Sequence, residues 1–243
     1  MKAYFYPYNP SGHKINMVMS MFKHSIVNSI QFADIAFYWN WKAFNPTPLP
    51  DGLNNAKCRV VNKKLLDTSK TFVDNRFYDV FGYRSMLEKP EIGQRVVTKT
   101  ERNGIHNGRI IEFNGAFHKD WLFQKYIDTL KDGYYNDLRV MIINGKLSNI
   151  MFIKKLDNFA CIEMISCSVV NTKDIFSIDE ISKINEFCKD YIDYAELDIL
   201  RDNEDGRIYI IDVNNTPGGG LMSHVTQDKT KIILNEINKI FTY

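Results

Sequence analysis

The stretch 195–220, AELDILRDNEDGRIYIIDVNNTPGGG, sets two apolar segments on either side of a polar, glycine-bearing turn and ends in three glycines. Strand alternation over YAELDIL puts Leu197 and Ile199 on one face, and Glu196, Asp198 and Leu200 on the other. In IYIIDVN, Ile211 and Val213 share one face while Ile210, Asp212 and Asn214 share the opposite one. With Arg201 paired to Tyr209, Asp198 lies across from Asp212; a slip of one residue offsets them. Carboxylates facing each other across a strand pair repel. A hard divalent cation, Mg²⁺ above all, held by Asp198, Asp212 and Asn214 would turn that repulsion into attraction. The alternative is a solvent-facing hairpin whose acids keep an outer face wet. Gly218, Gly219 and Gly220 either expose backbone amides to an anion or form a hinge before the last helix.

The remaining composition narrows the setting. A chain of 243 residues, 44% hydrophobic, can bury a large core. A formal charge of +2, with Lys and Arg dispersed, implies no polyanion-binding surface, and no basic stripe or RNP-like aromatic motif points to nucleic acid. Cys58, Cys161, Cys167 and Cys188 form no CxxC pair and no zinc spacing, which fits reduced packing cysteines in a cytoplasmic protein. The N-terminus turns polar by Asn9, too early for a signal-peptide apolar stretch, and no apolar run nears the roughly 18 residues of a bilayer span.

Periodicity then orders the elements. Residues 3–8 read as a strand, Ile15 to Ile30 follow a helical period, and 32–39 and 58–63 read as two more strands. Asp67 or Thr68 caps a helix that reaches Phe81 and stops at Gly82. QRVVTKT and GRIIEFN form a hairpin around ERNGIHNG, and DLRVMII and LSNIMFIKK form another around Asn144–Gly145. A helix over 178–192 carries Ile178, Ile181, Ile184, Phe187, Cys188 and Tyr191 on one face. A final helix starts near Thr226 and carries Ile233, Ile237 and Ile240. Alternating helices and antiparallel hairpins predict an α+β fold.

In this order, the hairpin residues Asp198, Asp212 and Asn214 with TPGG resemble the ATP-grasp superfamily, with Asp212 where Glu is usual. The resemblance covers about residues 60–225 and implies two α+β lobes gripping a nucleotide, a small one over 63–120 and a large one over 121–243, with a short N-terminal β-α-β unit over 1–62. It implies ATP and Mg²⁺ as cofactors. Lys70, on a helix, and Lys99, at a strand end, match the lysines that reach the phosphates. ERNGIHNG matches the phosphate-covering loop. Gln124, Lys125, Tyr126 and Ile127 match the segment whose backbone meets adenine, with Asp128 reaching the ribose. Arg139 matches an arginine aimed at the triphosphate, and Lys154 or Lys155 adds charge beside it. Arg201 and Gly218 to Gly220 are placed at the acceptor carboxylate.

The activity so implied is ligation: a carboxylate is activated as an acyl phosphate and an amine-type nucleophile displaces phosphate. Two alternatives stand beside it, an ATP-grasp kinase acting on a small-molecule or sugar acceptor and a non-catalytic nucleotide-binding module. Acceptors in this reading are small carboxylates and amines: amino acids, peptides or envelope sugars. The N-terminal unit is shorter than the domain most relatives use for the second substrate, which admits an acceptor partly supplied by another chain, in a homodimer or on a carrier. His13, His106 and His224 lie in or beside loops, where each serves either a pocket or an ordinary turn.

Overall fold

A computed structural model describes residues 1–44, 49–101, 108–157 and 164–242. His106 and Cys161 lie outside these residues, as do the interior of the ERNGIHNG loop and part of the proline-rich loop.

The chain opens with a parallel sheet. Its strands are β1 (Lys2–Pro7), β2 (Ser25–Ile26), β3 (Ile35–Trp39) and β4 (Arg59–Val61), in the order β2-β1-β3-β4. Helix α1 (Lys14–Met21) crosses between β1 and β2, and the short α2 (Asp51–Asn54) precedes β4. The helical period through Ile30 overstates α1. The chain leaves the helix at Lys23, which takes φ +56°, while the His24 N–H returns to the Met19 carbonyl and the Lys23 N–H to that of Ser20. That is a Schellman closure, built on lysine where glycine is usual, so the sequence carries no stop signal there.

Helix α3 (Lys70–Phe81) is capped by Ser69, whose hydroxyl accepts the Phe72 N–H, and ends at Gly82 with φ +78°. The cap is thus one or two residues later than the sequence suggests. An antiparallel sheet follows: β5 (Met86–Leu87), β6 (Arg95–Lys99), β7 (Arg109–Glu112) and β8 (Leu122–Lys125), in the order β5-β8-β6-β7. A larger sheet comprises β9 (Leu130–Lys131), β10 (Tyr134–Ile143), β11 (Lys146–Leu156), β12 (Met164–Asn171), β13 (Tyr194–Arg201) and β14 (Ile208–Asn214). Its order is β12-β11-β10-β13-β14, with β9 added to β10. Asn144 and Gly145 both take positive φ, the two-residue turn that matches strand twist.

The large sheet is covered on both sides. On one face, Leu138, Val140, Leu197, Ile199 and Val213 pack against Val73 and Phe77 of α3 and against α4 (Ile178–Cys188) through Ile184 and Phe187. Ser177 and Glu180 form a reciprocal cap at the start of α4. Ile178, predicted on the buried face, is 90% exposed because α4 begins with it pointing to solvent. On the other face, Met141, Ile143, Phe152 and Tyr194 meet α1, the parallel sheet and α5 (Gln227–Asn238). That cover reaches only part of the face. The remainder carries charged side chains.

Phe77 is fully buried between α3 and the sheet, stacked on Phe81 and edge-on to Tyr83. Phe77→Ala removes a fully packed ring and is expected to cost about 3–5 kcal/mol in urea unfolding. A loss below about 1 kcal/mol would contradict this packing.

Candidate functional site: a charged face between two sheets

Four strands deliver the charged groups in register. On β10, Asp137 and Arg139 point to the partly uncovered face; β11 places Lys154 opposite Asp137, and β13 places Asp198 opposite Arg139. On β14, Asp212 stands directly across from Asp198. The sequence arrives at that last pairing by a different route. Arg201 actually faces Ile208, Leu200 faces Tyr209, and a bulge at Ile211 restores the Asp198–Asp212 match.

Asp198 is not left to repel its neighbour. Arg139 Nε and Nη2 donate to its two carboxylate oxygens at 2.6 and 2.7 Å, a bidentate grip. Burial alone would raise the Asp198 pKa; the charges of Arg139 and Lys154 outweigh it and hold the carboxyl below its usual range. The compensation predicted for a metal is therefore supplied to Asp198 by a cation on the adjoining strand. Asp137 and Lys154 form a second buried ion pair. Burial and the Asp198 charge still lift Asp137 to about 6, against the pull of Lys154 and Arg139.

Asp212 differs from both. Its Oδ1 is buried with no hydrogen-bond partner. Burial and then Asp198 raise its pKa, while Lys70, Lys99 and Arg139 act to lower it. Lys99 is lowered from 10.5 to about 8, first by burial and further by the like charge of Lys70, despite Asp212, Asp74 and Glu101. Lys70 at the start of α3 and Lys99 at the end of β6 thus converge on Asp212 from separate elements. Glu101 accepts the Lys70 and Thr71 N–H groups and the Thr71 hydroxyl, tying the end of the β6 segment to the α3 N-terminus.

An orphaned carboxylate oxygen beside two lysines that repel each other fits a divalent cation with a polyphosphate. Among the described residues, no group of three or more His, Cys, Asp or Glu side chains is spaced to hold an ion unaided, so phosphate and water would supply much of the coordination. Asn214 Oδ1 already accepts the Thr216 N–H at 3.2 Å, and Asp198 is held by Arg139. Of the three predicted ligands, Asp212 alone shows an oxygen without a hydrogen bond.

The segment predicted to meet adenine connects the two antiparallel sheets. Gln124 is buried and donates to Ser85 Oγ at 2.7 Å; Ile127 is core. The Lys125 N–H is used by the Ser85 carbonyl at 2.7 Å, and its ammonium crosses to Asp202 at 2.7 Å on the β13–β14 turn. Tyr126 stacks beneath the Arg95 guanidinium at 3.9 Å, and Asp128 Oδ1 accepts the Leu130 N–H. Lys125 is therefore a strap between the sheets, its side chain directed to Asp202 and Tyr209.

Two further placements depart from expectation. Arg201 follows Leu197 and Ile199 onto the opposite face, where it binds Glu180 at 2.8 Å and the Ile175 and Gly206 carbonyls. Strand alternation across the sheet thus removes Arg201 from this site. Of the three glycines, Gly219 spends its N–H on the Gly12 carbonyl at 3.1 Å, and a Cβ there would meet that oxygen at 2.8 Å. The glycine is needed for close approach to the N-terminal turn; Gly218 bridges to His13, and Gly220 is open. His13 packs edge-on to Trp39, and His224 ends a short 3₁₀ turn.

Sequence reading missed Lys14, although it lies four residues before Val18 on the buried side of α1. It also left Glu196 and Asp137 without roles. Lys14 and Glu196 are 0% and 1% exposed, and Nζ to Oε1 is 2.6 Å.

The described chain has close structural counterparts. The ATP-grasp ligase PsnB, solved with a minimal precursor, matches at TM-score 0.63 and 12% identity over 98% of each chain. D-alanine--D-alanine ligase from Bacillus anthracis matches at 0.58 and 13%, over 99% of this chain and 94% of that one. A RimK-domain ATP-grasp protein from Sphaerobacter thermophilus matches at 0.61 and 11%, over the whole of both. No family model and no curated protein matches the sequence.

Because the folded pKa of Lys99 lies below its unfolded value, the folded chain holds fewer protons between about 8 and 10.5, and stability rises with pH across that window. Lys99→Met is expected to raise urea stability near neutral pH, with the gap to wild type closing toward the top of the window. A variant less stable than wild type at neutral pH would contradict this environment.

Proposed function

From the ATP-grasp fold that this chain has, we propose that it is an ATP-dependent ligase that joins a carboxylate to an amine-type nucleophile. The observation that carries the proposal is Asp212, whose buried Oδ1 has no hydrogen-bond partner, opposite the Arg139–Asp198 clamp and under the charges of Lys70 and Lys99. A fold alone assigns no reaction; the charges gathered on this face are what support this one.

In this reading Lys70 and Lys99 bind the phosphates, and Arg139 faces the phosphoryl group in transfer. Transfer of this kind depends on positioning and on neutralising charge. Asp212, with Asp198 and Asn214, would hold Mg²⁺, which supplies charge neutralisation across the phosphate oxygens. Backbone groups of Gln124 to Ile127 receive adenine and Asp128 the ribose. Lys154 stays on Asp137 and keeps that acid from competing for Arg139. Gly218 and Gly220 face the acceptor. The carboxylate is phosphorylated on oxygen, giving a mixed anhydride and ADP; amine attack then expels phosphate. A carboxylate is a poor electrophile, so the anhydride supplies the leaving group the second step requires.

An amino-acid or peptide carboxylate is the acceptor class we favour. Two structural counterparts support that preference: PsnB, solved with a minimal precursor, and the macrocyclase MdnC, solved with precursor peptide MdnA from Microcystis aeruginosa. No helix among the described residues is long and apolar enough to cross a membrane.

Asp212→Ala and Lys99→Ala are each expected to abolish Mg²⁺-dependent ATP turnover on a panel of amino acids and peptides. Unchanged turnover in either would overturn the assignment. Phosphorus NMR of the products separates the outcomes: ADP with free phosphate supports ligation, phosphate retained on the acceptor makes the protein a kinase, and bound nucleotide without turnover makes it a binding module.

A further inference from the structure

Lys14 comes from the first helix, yet its ammonium is buried in the large sheet, 2.6 Å from Glu196 Oε1 and 5.3 Å above the Phe152 ring. The other oxygen of Glu196, Oε2, has no hydrogen-bond partner and lies 3.7 Å from Arg139 Nη1. Arg139 therefore stands between two acids of one strand face, Glu196 and Asp198, and its hydrogen bonds go to Asp198. A guanidinium with two buried carboxylates in reach settles on the one less satisfied by other cations. Lys14 decides that partition by satisfying Glu196.

We infer that Lys14 is a positioning residue: by occupying Glu196 it leaves Arg139 on Asp198, in the orientation the phosphoryl-transfer site requires. The inference deepens the ligase reading and rests on it for that last clause. The same N-terminal turn grips the glycine loop, with the Lys14 N–H on the Pro217 carbonyl, His13 bridged to Gly218, and the Gly219 N–H on the Gly12 carbonyl. The short N-terminal unit thus sets two parts of the site at once.

The test reads Arg139 directly. In the full-length protein without nucleotide, the Arg139 Nε–H, assigned with Arg139→Lys, should give a resolved, slowly exchanging ¹⁵N–¹H NMR signal. Lys14→Met should shift or broaden it as Glu196 draws the guanidinium away. Glu196→Gln should leave it unchanged, and the double variant K14M/E196Q should restore it. An ion pair of merely structural value would not give this asymmetry. Should Lys14→Met fail to fold, the double variant carries the test: a retained signal supports the inference, and a folded protein that lacks it overturns it. An unchanged signal in Lys14→Met, or one disturbed equally by Glu196→Gln, also overturns it. By calorimetry, Mg²⁺-ADP should bind Lys14→Met about tenfold more weakly than wild type, with recovery in the double variant. Wild-type protein that takes up no Mg²⁺-ADP would sink the ligase reading while leaving the Arg139 result to judge the partition.

Discussion

The bidentate grip of Arg139 on Asp198 is the constraint on which the rest of this architecture turns. It joins β10 to β13 side chain to side chain where the backbone ladder already joins them, and it sits amid other buried charges. Lys154 answers Asp137 on one side, and Lys14 answers Glu196 on the other. Removing one member of such a buried pair costs roughly 3–5 kcal/mol, because its partner is left charged and dry. The network therefore enforces register as strongly as the apolar face does. A slip of one residue between β10 and β13 would drive these charges into Phe77, Phe187 and the rest of the core beneath α3 and α4.

Asp212 and Lys99 stand outside those ion pairs. Each bears a charge that burial disfavours, and each is brought by an element that ends at this face: β14 in the large sheet and β6 in the small one. Buried charges of this kind between two sheets fit the proposed site, which a ligand would complete. The Lys125–Asp202 tie spans the same two sheets.

Much of this was legible in the residues. Asn144–Gly145 announced its hairpin because only a few residues accept positive φ in succession, and the apolar alternation of β13 and β14 placed Asp198 and Asp212 together. Other features were not legible, for local reasons. The bulge between Val140 and Ile142 moves Asp137 from the reach of Phe152 to that of Lys154, and no residue type marks it. The bulge at Ile211 cancels an error in the turn, so the right acid pair followed from a turn register that does not occur. The resemblance put Arg201 at the acceptor carboxylate, yet alternation sends it to Glu180. Lys14 was hidden differently: its partner is 182 residues away, and a single lysine at a helix start looks like any solvated one.

The central claim is that this face holds a magnesium nucleotide between Asp212 on one side and Lys99 and Arg139 on the other. A crystal structure of the wild-type protein with Mg²⁺ and a non-hydrolysable ATP analogue tests it most directly. The account predicts phosphate oxygens within hydrogen-bond reach of Lys99 and Arg139 and a metal ion coordinated by Asp212. Nucleotide bound elsewhere, or a metal that leaves Asp212 without a ligand bond, would contradict it.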